Sequence, residues 1–135
     1  MANTVTNTVL HTGNAQVVVY VTIASDGTEE TDLVLYDSSA IATTLGLADT
    51  TNCKLLSVYA TVSSAVTARV NLEFDATTDV LALNIPANTL VKNDFRPIGG
   101  LKNTSATGKT GDITLTTTGL ESGDSATIIL VVDPR

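Results

Sequence analysis

Tryptophan is absent from this chain, and three tyrosines and two phenylalanines are its whole aromatic content. A carbohydrate platform that stacks sugar faces on exposed rings has little to be built from here. The single cysteine, Cys53, excludes an internal disulfide and with it the stapled design of small secreted scaffolds. At the head of an apolar run it is expected to be a small buried hydrophobe. The single histidine, His11, stands in a Thr-rich segment with no acid nearby in sequence, so a hydrolytic triad lacks its proton shuttle and no enzyme is expected. Seven bases stand against fourteen acids, and a formal charge of −7 repels phosphate backbones, which argues against free nucleic acid as a partner. No apolar run approaches the roughly 18 residues of a membrane helix. Met1-Ala2-Asn3-Thr4-Val5-Thr6 also lacks the basic and apolar regions of a signal peptide. A soluble product made in the cytoplasm, with no membrane partner, is the expectation.

What the chain has in abundance is β-branched side chains: Thr and Val make up roughly three residues in ten. Strands are expected near 4–11, 15–25, 33–36 and 80–83, and again near 112–118 and 125–133, with turns at Ser25-Asp26-Gly27-Thr28 and Gly119-Leu120-Glu121-Ser122-Gly123-Asp124. The clearest pattern is a double period-two run. Leu56, Val58, Ala60 and Val62 alternate with polar residues, then Val66, Ala68, Val70, Leu72 and Phe74 do the same, which predicts a β-hairpin with one face in the core. Residues 38–52 are the one stretch with helical signals: Ser38 or Ser39 as cap, Ile41 and Leu45 four apart, Gly46 as stop. Pro86 and Pro97 mark their segment as a poor central strand. With 135 residues and no composition break, the chain is expected to form one domain over residues 1–135. That domain is all-β, an antiparallel sandwich of about eight strands with a jelly-roll-like order, in which residues 1–10 serve as an N-terminal arm or edge strand.

Candidate chemistry falls away on spacing. Gly108-Lys109-Thr110 ends like a phosphate loop, but the earlier glycine such a loop needs would fall at Asn103. Asp26, Glu29, Glu30 and Asp32 are a tight acidic group without the helix-loop-helix calcium spacing, since Thr31 stands where a glycine is required; they are expected to form a solvated turn, with a bound cation as the alternative. Glu73 and Asp75 lie on the polar side of a strand, where acids keep an edge soluble. No metal, cofactor or catalytic residue is therefore expected. Lys92, Arg96, Lys102 and Lys109 crowd into a stretch whose only acid is Asp94; they are either solvated loop bases or a docking edge for an acidic partner surface. The N-terminal segment carries no formal charge before His11, and Thr4, Val5, Thr6 and Val9 are expected to add to a neighbour's sheet edge.

Several phrases together carry a family resemblance. These are Ser25-Asp26-Gly27-Thr28-Glu29-Glu30 followed by an apolar strand and Asp37-Ser38-Ser39; Gly99-Gly100-Leu101; Gly108 through Gly111-Asp112-Ile113; and Ser122-Gly123-Asp124-Ser125 before a final apolar strand. In these the chain resembles small virion structural proteins of tailed bacteriophages, of the capsid decoration or cement type. The family's aromatic near Ala126 and its basic residue beside the last strand are missing here. The resemblance implies a protein on the outside of the phage head that binds the major capsid protein and stabilises contacts between its subunits. It also implies a homo-oligomer, trimer or dimer, suited to the symmetric junctions of a shell. The alternatives are a tail, neck or head-fibre component and, on weaker grounds, a host-glycan-binding adhesin domain.

Overall fold

The computed structural model describes residues 3–13, 16–47, 53–64, 68–105 and 107–134. Its strands are β1 (Thr4–Thr12), β2 (Val17–Ala24), β3 (Leu33–Tyr36), β4 (Lys54–Ser63), β5 (Arg69–Phe74), β6 (Val80–Pro86), β7 (Val91–Asp94), β8 (Leu101–Lys102), β9 (Ile113–Thr118) and β10 (Ser125–Asp133). Among the described residues one helix, α1 (Ser38–Leu45), and a single 3-10 turn at Arg96–Ile98 interrupt them. Ten strands thus stand among the described residues where about eight are expected, the two unexpected ones being the short β7 and the two-residue β8.

All pairings are antiparallel. One sheet runs β1-β2-β10-β4-β7, with β8 also pairing with β4; the other runs β3-β9-β5-β6. With β1 and β8 set aside, the remaining eight strands pair first with last and inward from there: β2 with β10, β3 with β9, β4 with β7, β5 with β6. Two more pairings, β10 with β4 and β9 with β5, close this long hairpin on itself and split it into two sheets.

The layers enclose one continuous core. Alternate residues of β2 (Val17, Val19, Val21, Ile23) and of β10 (Ala126, Ile128, Leu130, Val132) face Val70, Leu72, Phe74, Ile113 and Leu115 of the opposite sheet. With so few rings, the packing is carried by aliphatic side chains, each contributing roughly 1.5–3 kcal/mol on burial.

Two expectations about this core need correcting. The runs at β4 and β5 do not form a hairpin with each other: β4 pairs with β10, β7 and β8, while β5 pairs with β6 and β9 in the opposite sheet. Alternation states which face of a strand is buried and nothing about its neighbour, and two such strands bury their apolar faces equally well in facing layers. Leu56 is also not a core residue. The β4–β10 register slips between Val131, opposite Ser57, and Val132, opposite Leu55, so Leu56 is the extra residue of a bulge. Leu55 is thereby turned inward and fully buried, whereas Leu56 is half-buried.

The helix is shorter than the segment proposed for it, and the rest of that segment, 48–52, lies outside the described residues. Its cap is Asp37 rather than Ser38 or Ser39, with Asp37 Oδ1 accepting from the Ala40 amide at 3.2 Å. Gly46 ends it at φ 71°, in the left-handed region that favours glycine. Val66 is likewise outside the described residues.

Candidate functional site

The candidate site is a face, not a cleft. Residues paired across neighbouring strands point to the same side, so the register assigns the outward positions of the larger sheet row by row. One row is Thr4, Ala24, Ser125 and Ser63; the next is Thr6, Thr22, Thr127 and Thr61. Then follow Thr8, Tyr20, Ile129 and Tyr59, and beyond them His11, Val18, Val131 and Ser57. Across four strands this surface offers hydroxyls, aliphatic groups and two phenol rings, and no carboxylate, ammonium or guanidinium. Charge returns only at its margins. Lys92 stands opposite Tyr59 and Asp94 opposite Ser57 on β7, while Lys54, Lys102 and Asp133 lie in register at one end.

Natural surfaces intersperse charges to stay soluble, and a chain with 21 charged side chains has enough to do so here. Their exclusion leaves an apolar band, Val18, Tyr20, Ile129, Val131 and Tyr59, of which Tyr59 is 44% exposed. Toward β7 the band dips into a shallow groove of about 360 Å³ lined by Tyr59, Ile129, Val131, Lys92 and Arg96.

The structure brings three of the four proposed basic residues to one margin of this face. Lys92 on β7, Arg96 in the 3-10 turn and Lys102 on β8 all lie along the β4 side, where Lys54 joins them. Arg96 is held there by Asp94 at 3.4 Å. Lys109 is separate, on a loop tied to the β5–β6 turn by the Thr77 amide donating to Thr107 O and the Thr110 amide donating to Asp75 O, both at 3.3 Å.

The N-terminal residues form a folded edge strand, not a detached arm. β1 pairs with β2 from Thr4 to Thr12. Asn3 Nδ2 donates to Thr28 O at 2.8 Å and to Glu30 Oε1 at 3.0 Å, and Asn7 Nδ2 donates to Leu35 O at 3.0 Å. Asn7 thereby ties β1 to β3 of the facing sheet, and Asn3 ties its start to the loop that leads into β3; sequence reasoning missed both, although Asn7 is an unusual choice within a strand. Thr4 and Thr6 are exposed on the uncharged face, Val5 packs against the core, and Val9, 46% exposed, borders a second groove with Val19, Tyr36 and Ile41. Among the described residues the outer edge of β1 has no strand beside it, and the strand carries neither a proline nor a formal charge apart from His11.

A scan against protein-family models finds no match, and a search of curated proteins finds none either.

The acidic turn is dispersed by the fold. Asp26 Oδ1 accepts from the Thr28 amide at 3.0 Å, and hydrogen bonding from Thr28 holds the Asp26 carboxyl below its ordinary value. Glu30 is taken up by Asn3, while Asp32 turns onto the outer face of the smaller sheet beside Glu73. Asp75 accepts from Thr110 Oγ1 at 2.7 Å. Under α1, Asp112 Oδ1 accepts from the Ser38 amide at 2.8 Å. Burial pushes the Asp112 carboxyl up, the Ser38 hydrogen bond opposes that shift, and the neighbouring Asp37 and Asp75 charges add to it. Cys53 is buried as expected, and burial pushes its thiol up to about 12. No helix among the described residues is long and apolar enough to cross a membrane.

Proposed function

We propose that this protein is a capsid decoration, or cement, protein of a tailed bacteriophage, which lays the uncharged face of its larger sheet on the outside of the head and bridges major capsid subunits. The observation that carries the reading is the charge-free surface spanning β1, β2, β10 and β4 in a chain of net charge −7. Flat docking onto another protein requires a surface that loses water without stranding charges, and this is the surface that meets the requirement. The basic margin of Lys92, Arg96 and Lys102 adds steering toward an acidic partner. The first-with-last pairing of eight strands supports a jelly-roll order, an architecture shared by viral capsid and lectin domains. The open edge of β1 offers backbone groups to a neighbouring copy, in keeping with a dimer or trimer around a symmetry axis of the shell.

The test is sedimentation of purified protein with shells assembled from the major capsid protein, using Tyr59→Glu and Thr127→Lys. Both side chains point outward, so each variant keeps its stability within about 0.5 kcal/mol while losing shell binding. Binding of both variants with the parent's affinity would remove the face from the reading. Attachment of the parent protein to tails or necks, and not to heads, would replace decoration by a tail or neck role.

A further inference from the structure

The outer face of the smaller sheet gathers three carboxylates from distant parts of the chain. Asp32 leads into β3, Glu73 sits on β5 and Asp79 precedes β6, and one oxygen of each lies within 4.8 Å of the other two. β9 runs between β3 and β5, so Asp32 and Glu73 converge across it. The β9 residue on the same face, Cα partner to both Val34 and Glu73, is Thr114. It is 1% exposed, and its Oγ1 is buried without a hydrogen-bond partner. A hydroxyl buried in this way lacks what most buried polar atoms have, a group for its lone pairs to meet. The three carboxylates lack an opposite charge as well, for none of them is in ion-pair contact with a base among the described residues. Asp79 is held in place by the Ala76 amide, which donates to its Oδ1 at 3.2 Å.

We propose that Asp32, Glu73 and Asp79, with the hydroxyl of Thr114 in register with Glu73 on the same face, bind one divalent cation of the calcium class. The donor set is all oxygen, which suits a hard cation; zinc and copper prefer the imidazole or thiolate ligands that are missing from the cluster. Calcium holds oxygens at about 2.3–2.6 Å, so two ligands of one ion stand at most ~4.6–5.2 Å apart, and three oxygens all within 4.8 Å of one another fall inside that limit. Magnesium usually takes only one or two carboxylates and keeps several of its waters, so a set of three acids suits it less. The bound ion ties β3 to β5 across β9 and cancels repulsion among three acids. Sequence spacing could not reveal this site, because its ligands come together only when β9 is inserted between β3 and β5. It lies on the layer opposite the uncharged face and does not depend on how that face is used.

Isothermal titration of chelator-treated protein with calcium chloride, and separately with magnesium chloride, tests the proposal, alongside thermal melts in each ion. The expected result is one calcium per chain, with a dissociation constant of about 10⁻⁴–10⁻³ M as in open extracellular sites, weaker magnesium binding, and a melting temperature raised by calcium. Glu73→Gln is expected to lose roughly tenfold or more in affinity as ligand charge falls, Thr114→Val to bind more weakly than the parent, and Asp26→Asn, on the same acidic turn but outside the cluster, to bind as the parent does. The proposal is overturned if the parent neither binds calcium nor gains in melting temperature up to ~10 mM. It is equally overturned if Glu73→Gln or Thr114→Val binds with unchanged affinity.

Discussion

The bulge in β4 makes a sharp prediction, because it exchanges the fates of two adjacent leucines. Strict alternation through Leu56, Val58, Ala60 and Val62 puts Leu56 in the core and Leu55 outside; the slipped register against β10 does the reverse. Leu55 is 0% exposed and belongs to the core cluster, so Leu55→Ala removes three carbons from a fully enclosed site. At about 0.8 kcal/mol per buried methylene the transfer loss is roughly 2.4 kcal/mol, and the cavity left behind raises the total to about 3–5 kcal/mol. Leu56→Ala removes the same atoms from a half-buried position with no second layer over it, and should cost under about 1.5 kcal/mol. Urea unfolding followed by far-ultraviolet circular dichroism reads the contrast directly. With a slope of roughly 2 kcal/mol per molar, the Leu55 variant's midpoint falls by about 1.5–2.5 M and the Leu56 variant's by less than about 0.8 M. A larger loss for Leu56→Ala than for Leu55→Ala would refute the bulge and restore uninterrupted alternation.

Three further outcomes follow from buried groups. Asp124 Oδ2 accepts from Ser64 Oγ and from the Glu121 amide, both at 2.8 Å, so Asp124→Ala strands buried donors at the end of the sandwich and should lower unfolding free energy by about 1–3 kcal/mol in urea titration. Cys53, with its thiol pushed up to about 12 by burial, should resist an aromatic disulfide reagent at pH 8 in native protein and react at once in denaturant; rapid native labelling would contradict its placement. Asp112 has a folded-state pKa above its unfolded value, so the folded state holds this proton more tightly. Its contribution is therefore fully present below the ordinary carboxylate pKa and is lost as pH rises through the raised folded value. Asp112→Asn keeps an oxygen for the Ser38 amide and removes that titration, so the variant should gain on the parent as pH rises across this window; parallel stability profiles would contradict it.

The features legible in the sequence are those that neighbouring residues decide together. The β-branched density of Val17–Ala24 and Ser125–Asp133, the Gly and Asp of their flanking turns, and the alternation of Arg69–Phe74 specify strands and buried faces before any partner is known. What stayed hidden depends on partners far away in the chain. The bulge at Leu56 exists only against β10, and β4 and β5 part into opposite sheets only because β10 and β9 claim the places beside them. The uncharged face has the same origin. Thr6, Thr22, Thr61 and Thr127 are unremarkable one at a time and become a surface only when four strands come into register. The acidic cluster repeats the lesson with opposite charge: the sequence groups Asp32 with its neighbours Glu29 and Glu30, whereas the strand order sets it beside Glu73 and Asp79. First-with-last pairing makes such long-range juxtapositions the rule in this fold, since every strand from β2 to β5 has its hairpin partner in the second half of the eight-strand set. Local periodicity can therefore assign sides to residues in such a chain, but the surfaces on which partners or ions are bound are products of register, and register is fixed by the whole hairpin at once.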